Sequence, residues 1–175
     1  MKILIFSDSH GDIHTMGAAV KKEKPDMIIH LGDSIKDAEQ LNSIYPDIEM
    51  IKILGGIDLQ DDGEDLAQFI EISDKRITLT HGHTFLNDAT SFGQGEQKMW
   101  MAAGNVDIVL YGHTHEPFIN CCEGKWIMNP GCICRIPKNL PGHNIINATY
   151  GVLVIDKNGS MQFNFVEVGT KLKIK

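Results

Sequence analysis

The sequence has 175 residues with 42% hydrophobic content, which suits one compact domain spanning 1–175. Its formal net charge of -7 at pH 7 argues against binding to a nucleic acid polymer, because neutralising phosphates requires clustered Lys and Arg side chains. The N-terminal apolar run KILIF is too short for a signal-peptide core or a membrane span, so a cytoplasmic protein without membrane contact is expected.

Strands and helices alternate through the first third of the chain. The apolar runs at 2–6, 26–31 and 49–54 have the length of buried strands. Between them, 13–24 and 35–45 carry apolar residues at helical spacing. This β-α-β-α-β order predicts parallel strands joined by right-handed crossovers.

The remainder of the chain is richer in strands. Residues 69–72 and 76–80 flank a short turn and predict a hairpin, while 91–105 predicts a helix before a strand at 107–111. Four further short strands are expected, the last two joined by an Asn-Gly turn: PFINCC (117–122), KWIMN (125–129), TYGVLVID (149–156) and MQFNFVEV (161–168). The pattern predicts a mixed α/β protein with an antiparallel second half, in which two sheets pack face to face with helices outside.

Clusters of Asp and His follow four of the predicted strands. They are Asp8 with His10, Gly32 with Asp33, His81 with Gly82 and His83, and Gly112 with His113 and His115. Because ligands bind at the carboxyl ends of strands in open α/β sheets, we expect these clusters to converge at one edge. Taken singly, each has an ordinary structural alternative, such as a helix cap for an Asp or a core or surface role for a His.

The combination of carboxylates and imidazoles suits Mn, Fe, Zn or Co rather than calcium. Asp33 could bridge two ions because a carboxylate offers two oxygens. In D-x-H and H-T-H, alternate residues of an extended chain point the same way, so both side chains of each pair are expected to face one cavity. The glycines beside these residues suit tight turns or a close approach of the backbone.

The four cysteines have C-C and C-x-C spacing, which differs from the gaps of a structural zinc site. Reduced and mostly buried thiols are therefore expected. A zinc site built from Cys121, Cys122, Cys132 and Cys134 is the alternative.

Five motifs occur in order within residues 1 to about 135: Asp8-Ser9-His10, Gly32-Asp33, Gly55-Gly56-Ile57-Asp58, His81-Gly82-His83 and Gly112-His113-Thr114-His115. Together they resemble the motifs of the calcineurin-like metallophosphoesterases. The short length of the chain and the motif Asn129-Pro130-Gly131 are similar to the YfcE branch of that family, which includes the retromer sorting subunit.

The resemblance implies a four-layer αββα sandwich with two mixed sheets that holds two divalent transition metals. It implies that the first metal is held by Asp8, His10, Asp33 and His115, and the second by Asp33, His81 and His113, with Asp33 as the bridge. Manganese is the leading candidate, with Fe, Zn, Ni or Co as alternatives. A water shared by both ions would then attack phosphorus in line, which makes Asp33, His81 and His113 catalytic through that water.

The sequence departs from the family in its third motif. Where the family has an Asn that ligates the second metal, this chain has Gly56, and where many members have a His that protonates the leaving group, it has Ile57. Either a water molecule or Asp58 fills the vacant place, or the protein keeps a metal scaffold with little activity. His83 is expected either to contact substrate phosphate or orient His81, or to have a structural role.

These features predict a metal-dependent phosphodiesterase for a small or aryl diester, because a leaving group that is stable without a proton needs no acid. The alternatives are a metal-binding adaptor resembling the retromer subunit and a phosphomonoesterase. Self-association into a dimer or tetramer is also expected from the branch.

Overall fold

The computed structural model describes residues 1–58, 67–86, 94–135 and 147–169. These ranges contain three helices: α1 (Ile13–Glu23), α2 (Ile35–Ile44) and α3 (Gln94–Ala102). They also contain ten strands: β1 (Lys2–Phe6), β2 (Met27–His30), β3 (Glu49–Lys52), β4 (Ala67–Ile72), β5 (Lys75–Thr80), β6 (Ile108–Leu110), β7 (Pro117–Cys122), β8 (Lys125–Pro130), β9 (Thr149–Ile155) and β10 (Met161–Glu167).

The first sheet has the order β10-β9-β1-β2-β3. Its centre is parallel, since β1 pairs with β2 and β2 with β3 in that sense, as the alternation of strands and helices predicts. Two antiparallel strands, β9 and β10, complete it and are joined at the expected Asn-Gly turn. In that turn the side chain of Asp156 accepts hydrogen bonds from the main-chain nitrogens of Asn158 and Ser160.

The second sheet has the order β4-β5-β6-β8-β7 and is mixed. Hairpin pairs at its two edges, β4 with β5 and β7 with β8, are antiparallel. The expectation of an antiparallel second half is nevertheless wrong for the centre, where β6 pairs in parallel with both β5 and β8. Helix α3 supplies the crossover between β5 and β6 that a parallel pair requires.

Three buried clusters define four layers. The largest lies between the sheets and includes Ile5 and Ile29 from the first sheet and Leu79 and Leu110 from the second. A second cluster packs α1 and α2 on the outer face of the first sheet, and a third packs α3 on the second sheet. Burying both faces of the central strands explains their continuous apolar runs, and the predicted αββα sandwich is confirmed.

The ends of the elements lie within a few residues of the predicted ones. Helix α1 begins after Asp12, whose carboxylate accepts the main-chain N–H of Thr15 as an N-terminal cap. Residues 91–93 of the predicted third helix lie outside the described residues. In the described ranges, none of the helices is long and apolar enough to cross a membrane.

Candidate metal centre

The candidate residues lie in turns that follow β1, β2, β5 and β6, so both sheets contribute to one end of the sandwich. Main-chain hydrogen bonds join neighbouring turns, with Asp8 N donating to Gly32 O at 3.0 Å and Gly112 N to His81 O at 3.1 Å. The two sheets are then linked by His113 N, which donates to Oδ2 of Asp8 at 3.1 Å. The predicted convergence of the four clusters is therefore present.

The backbone at these residues is not extended. Five candidate ligands adopt left-handed φ angles between 41° and 70°, namely Asp8, His10, Asp33, His113 and His115. The expected mechanism of alternating side chains along an extended chain is therefore wrong. The side chains converge because of tight left-handed turns, which Asp and His tolerate better than most residues.

Two glycines permit the close approach of these turns. A Cβ on Gly112 would overlap the Ser7 hydroxyl, and one on Gly55 would overlap the backbone and carboxylate of Asp33. The turns after β6 and β3 can therefore touch the turns after β1 and β2 only because these positions lack a side chain.

One group of possible ligand atoms comprises Asp8, His10 and His115, which all lie within 4.8 Å of one another. Nε2 of His115 is 3.2 Å from Oδ1 of Asp8, and Nε2 of His10 is 3.3 Å from Nε2 of His115. Asp8 is fully buried, whereas His10 is exposed, so this group opens to solvent on one side.

A second group comprises Asp8, Asp33 and His81, all of them buried. Nδ1 of His81 donates to the carbonyl of Leu31 at 2.7 Å, so its Nε2 faces the two carboxylates. That Nε2 lies 3.3 Å from Oδ1 of Asp33 and 3.9 Å from Oδ1 of Asp8. The residue that the two groups share is Asp8, and the bridging role implied for Asp33 stays a prediction.

His113 lies at the border of the second group and belongs to neither group as defined by those distances among the described residues. Its ring centre is 5.3 Å from that of His81. Its Nε2 is 3.0 Å from the carbonyl of Leu86, which can only accept a hydrogen bond, so the proton of the neutral ring lies on Nε2. The lone pair of Nδ1 is then available to a cation.

His83 lies beside the position of the missing family ligand. Its ring centre is 5.5 Å from His81 and 6.2 Å from His113, and its buried Nδ1 has no hydrogen-bond partner in the described residues. A Cβ built on Gly56 would lie 3.5 Å from the His83 ring, which is ordinary contact. The next residue, Ile57, has 65% of its surface exposed.

Asp58 has a structural role in the contacts that it makes. Its Oδ1 accepts the main-chain N–H groups of Ser34 and Ile35, each at 2.9 Å, and its Oδ2 accepts that of Gly55 at 3.0 Å. The carboxylate thus caps the start of α2, where a negative charge is favourable. Because both oxygens are engaged, these contacts favour support of the turn over the alternative in which Asp58 fills the vacant position.

Two supporting residues were missed by the sequence analysis. Asp37 lies in the predicted helix 35–45 and was not among the candidate residues, yet its carboxylate accepts hydrogen bonds from Gly11 N at 2.7 Å and the Ser9 hydroxyl at 2.8 Å, which fixes the first turn. Asn129 donates to Gly112 O at 2.8 Å and so holds the last turn. No local pattern distinguishes Asp37 from a solvent-exposed Asp. Asn129 was visible in the sequence as part of Asn129-Pro130-Gly131, the motif similar to the YfcE branch, but no role was assigned to it.

Charge at the centre is divided between stabilised carboxylates and perturbed imidazoles. Burial opposes ionisation of Asp33, yet the close contact with His81 and the nearby positive charge hold its pKa at about 2. Despite burial, the close contact with Asp33 and the charge of Asp8 raise the pKa of His81, and the close contact with Asp8 raises that of His115. Burial and the neighbouring His81 lower the pKa of His113.

This arrangement fits divalent cations. Oδ1 of Asp8 and Nε2 of His81 are buried and make no hydrogen bond within the described residues, which is costly unless a cation uses them. Carboxylate oxygen and imidazole nitrogen are also the donors that divalent transition metals accept. Neither group includes a cysteine, and Cys121 and Cys122 are exposed whereas Cys132 and Cys134 are buried, so the four-cysteine zinc alternative is wrong.

Residues 1–157 match the model of the calcineurin-like phosphoesterase superfamily domain, and the chain belongs to this family. A phosphodiesterase of Methanocaldococcus jannaschii is 30% identical over 168 residues, which cover 84% of this chain and 93% of the relative. The predicted family and the predicted class, a phosphoesterase, are confirmed.

Two solved structures show the same fold. A predicted phosphoesterase from Streptococcus pneumoniae is 26% identical with a TM-score of 0.69, covering 95% of this chain and 88% of the other. Wild-type Vps29 complexed with zinc, from Entamoeba histolytica, is 18% identical with a TM-score of 0.69. The match covers 95% of this chain and 99% of the Vps29 chain. The second likeness concerns the fold alone.

Proposed function

We propose that the protein is a dinuclear metal-dependent phosphodiesterase that hydrolyses a small or aryl phosphodiester. The observation that carries this proposal is the pair of adjacent ligand groups around Asp8, in which buried Oδ1 of Asp8 and Nε2 of His81 make no hydrogen bond in the part of the chain that the structure describes. The name of the M. jannaschii relative supports the choice of a diester over a monoester.

We assign ligands to each of the two metals from the side-chain atoms that other contacts leave available. Asp8, His10, Asp33 and His115 would hold the first metal, and Asp33, His81 and His113 the second. Leu31 and Leu86 carbonyls orient His81 and His113 so that one ring nitrogen of each is directed away from the cation and the other towards it. Water would complete the second set at Gly56, because Asp58 is already engaged.

Two bound divalent cations would supply charge that neutralises phosphoryl oxygens and acidifies a water molecule. The chain itself contributes positioning. Gly112 allows the last turn to approach Ser7, and the bond from His113 N to Asp8 keeps the two sheets at a fixed separation across the centre. The ring of His83 lies beside Gly56, and its buried Nδ1 has no hydrogen-bond partner among the described residues, so His83 is placed to contact a phosphate oxygen or to support His81.

The substrate preference follows from Ile57. An aliphatic side chain cannot donate a proton, so the departing oxygen must be stable as an anion, as in an aryl or nucleotide-derived diester. The same side chain is 65% exposed beside the centre and offers an apolar surface to such a group. Alkyl diesters and monoesters are expected to be poorer substrates.

We further propose manganese as the native metal, with Fe, Zn, Ni or Co as substitutes. We also propose a homo-oligomer, for which the exposed side chains of Phe69 and Met101, at 67% and 68%, offer apolar contact surface. The free cysteines support a reducing, cytoplasmic location. The shared core between the sheets supports one domain over 1–175.

A metal-binding adaptor is the second candidate, because Gly56 removes a ligand and the fold is shared with Vps29. Metal analysis and turnover separate the two. Protein stripped with a chelator and refilled with Mn²⁺ should bind two equivalents and cleave bis-p-nitrophenyl phosphate faster than alkyl diesters or p-nitrophenyl phosphate. Stoichiometric metal without turnover on this panel would support the adaptor instead, and faster cleavage of the monoester would support a phosphomonoesterase.

A matched pair of variants tests the residues. Asp33→Asn should lower turnover on the order of a hundredfold or more and weaken metal binding, because it removes a ligand charge. Asp47→Asn makes the same chemical change at an exposed position before β3, at the opposite end of the sheet, and should leave both quantities unchanged.

A further inference from the structure

A pair of buried thiols lies directly behind the candidate metal centre. Cys132 and Cys134 follow β8 and have 0% and 5% of their surfaces exposed. Their Sγ atoms are 2.6 Å apart, only slightly longer than a disulfide bond of about 2.05 Å. Both are free thiols.

The backbone holds these thiols in place from two sides. The main-chain nitrogen of Ile133, between them, donates to Ser7 O at 3.1 Å, while Thr149 N donates to Cys132 O at 2.8 Å. Gly131 N, just before the pair, donates to the side chain of Asn129 at 2.8 Å. The two sulfur atoms therefore face each other as a consequence of the fold, and bond formation requires only a small movement.

One of the thiols is connected to the metal centre. Cys132 Sγ donates to the main-chain carbonyl of Asp8 at 3.0 Å. Asp8 has a left-handed φ of 55° and is the residue shared by the two ligand groups. A change at this sulfur thus acts on the turn that positions the central carboxylate.

We propose that Cys132 and Cys134 form an oxidation site, in which hydrogen peroxide converts the two thiols into a reversible disulfide that weakens metal binding at Asp8. The disulfide itself does not depend on the proposed function, whereas its effect on metal binding rests on it. The exposed Cys121 and Cys122 are not part of this site.

The reaction balances in two steps. The sulfur of Cys134, the more exposed of the pair, attacks one peroxide oxygen and the O–O bond breaks. Cys134 becomes a sulfenic acid, and the other peroxide oxygen departs as water. The sulfur of Cys132 then attacks Cys134 Sγ and displaces the second water. The two sulfurs lose two electrons to peroxide, both thiol protons end in the two waters, and a small dithiol reverses the reaction.

The expected consequence follows from the lost proton. A disulfide sulfur cannot donate a hydrogen bond, so the Asp8 carbonyl loses its donor in the buried interior. Supporting contacts of this kind change metal affinity by about tenfold to a hundredfold. We expect the dissociation constant for Co²⁺ to rise on the order of tenfold in the oxidised chain.

The test uses a full-length chain with Cys121→Ser and Cys122→Ser, so that the buried pair holds the two remaining thiols. Metal-free protein is treated with hydrogen peroxide, and intact mass and thiol content are measured before and after reduction. The expected result is loss of two hydrogens and of both thiols, reversed by the dithiol. Survival of the thiols, or oxidation of one sulfur to a higher acid without a link, would overturn the proposal.

Adding Cys132→Ser to this background provides the matched control. Serine keeps a hydrogen-bond donor to the Asp8 carbonyl but cannot form a disulfide. The Co²⁺ affinity of this variant should therefore match that of the reduced parent and should not change after peroxide treatment. Equal Co²⁺ affinity of the reduced and oxidised parent would overturn the connection to Asp8. Failure of the reduced parent to bind Co²⁺ would overturn the proposed centre and the effect on affinity, while the mass measurement still decides the disulfide.

Discussion

Nε2 of His81 lies 3.3 Å from Oδ1 of Asp33, and both groups are buried at the meeting point of the two sheets. Because Nδ1 of His81 donates to the carbonyl of Leu31, Nε2 is the nitrogen available to a proton or a cation. The carboxylates of Asp33 and Asp8 raise the pKa of His81 and so favour the proton in the metal-free chain. A cation that binds here must replace that proton.

Metal binding should therefore release protons, and affinity should rise with pH. Affinity rises with pH because the raised pKa of His81 keeps its imidazole protonated to a higher pH than usual, and only the neutral ring can bind a metal. Calorimetric titration with Mn²⁺ in two buffers of different ionisation enthalpy measures the protons released. The exposed His14 provides the control, since His14→Gln should not alter the number. Binding without proton release below neutral pH would contradict this account of His81.

Gly56→Asn should strengthen the second metal site. The position is exposed, and the nearest neighbour of an added Cβ is the ring of His83 at an ordinary 3.5 Å, so the larger side chain can be accommodated. Its amide oxygen would replace a water ligand, and we expect the second dissociation constant to fall about tenfold, or ~1.4 kcal/mol. Gly56→Ala fills the same space without a donor and should give no gain. Equal affinities of the two variants would show that the effect is not coordination.

Ile57→His should broaden the range of substrates. An imidazole at this exposed position can protonate a leaving oxygen, which typically accelerates such steps by about a hundredfold or more. The ratio of alkyl to aryl diester turnover should therefore rise, most strongly below the pKa of the new imidazole. Ile57→Gln, which is polar but not an acid, should leave the ratio near that of the parent. An equal rise in the Gln variant would assign the effect to polarity.

His30 should make stability depend on pH in the mildly acidic range. Burial lowers its pKa from 6.5 to about 4, and its Nδ1 accepts a hydrogen bond from Gly32 N that a protonated ring would lose. As pH falls from 6.5 towards 4, the unfolded chain takes up a proton that the folded chain does not, so stability is lost in that window.

The expected loss from this residue is about 2 kcal/mol between neutral pH and about pH 4.5. Urea unfolding of the chelator-treated protein at both pH values measures it, and His30→Gln should show a smaller pH dependence than the parent. His14→Gln, an exposed histidine, should behave as the parent does. The prediction fails if the parent and His30→Gln lose the same free energy of unfolding.

Much of the fold follows from local pattern. Apolar runs such as KILIF predict the buried strands because a strand covered on both faces has no polar side, and helical spacing in 13–24 predicts α1 to within a residue. The parallel pairing of β6 with β5 and β8 was not predicted. Strand direction within a sheet depends on crossover connections between distant segments, and short strands carry no signal of it.

For the candidate site, the order of residues alone predicts the donor types and the turns on which they lie, because carboxylates and imidazoles that follow buried strands are visible in it. How these groups meet was not predictable: they converge through left-handed turns rather than extended pairs, with Asp8 shared by both groups and Asp58 engaged elsewhere. Contacts such as His81 with Asp33, or Cys132 with Asp8, join segments that are far apart in the chain. Only the packing of the two sheets sets those distances.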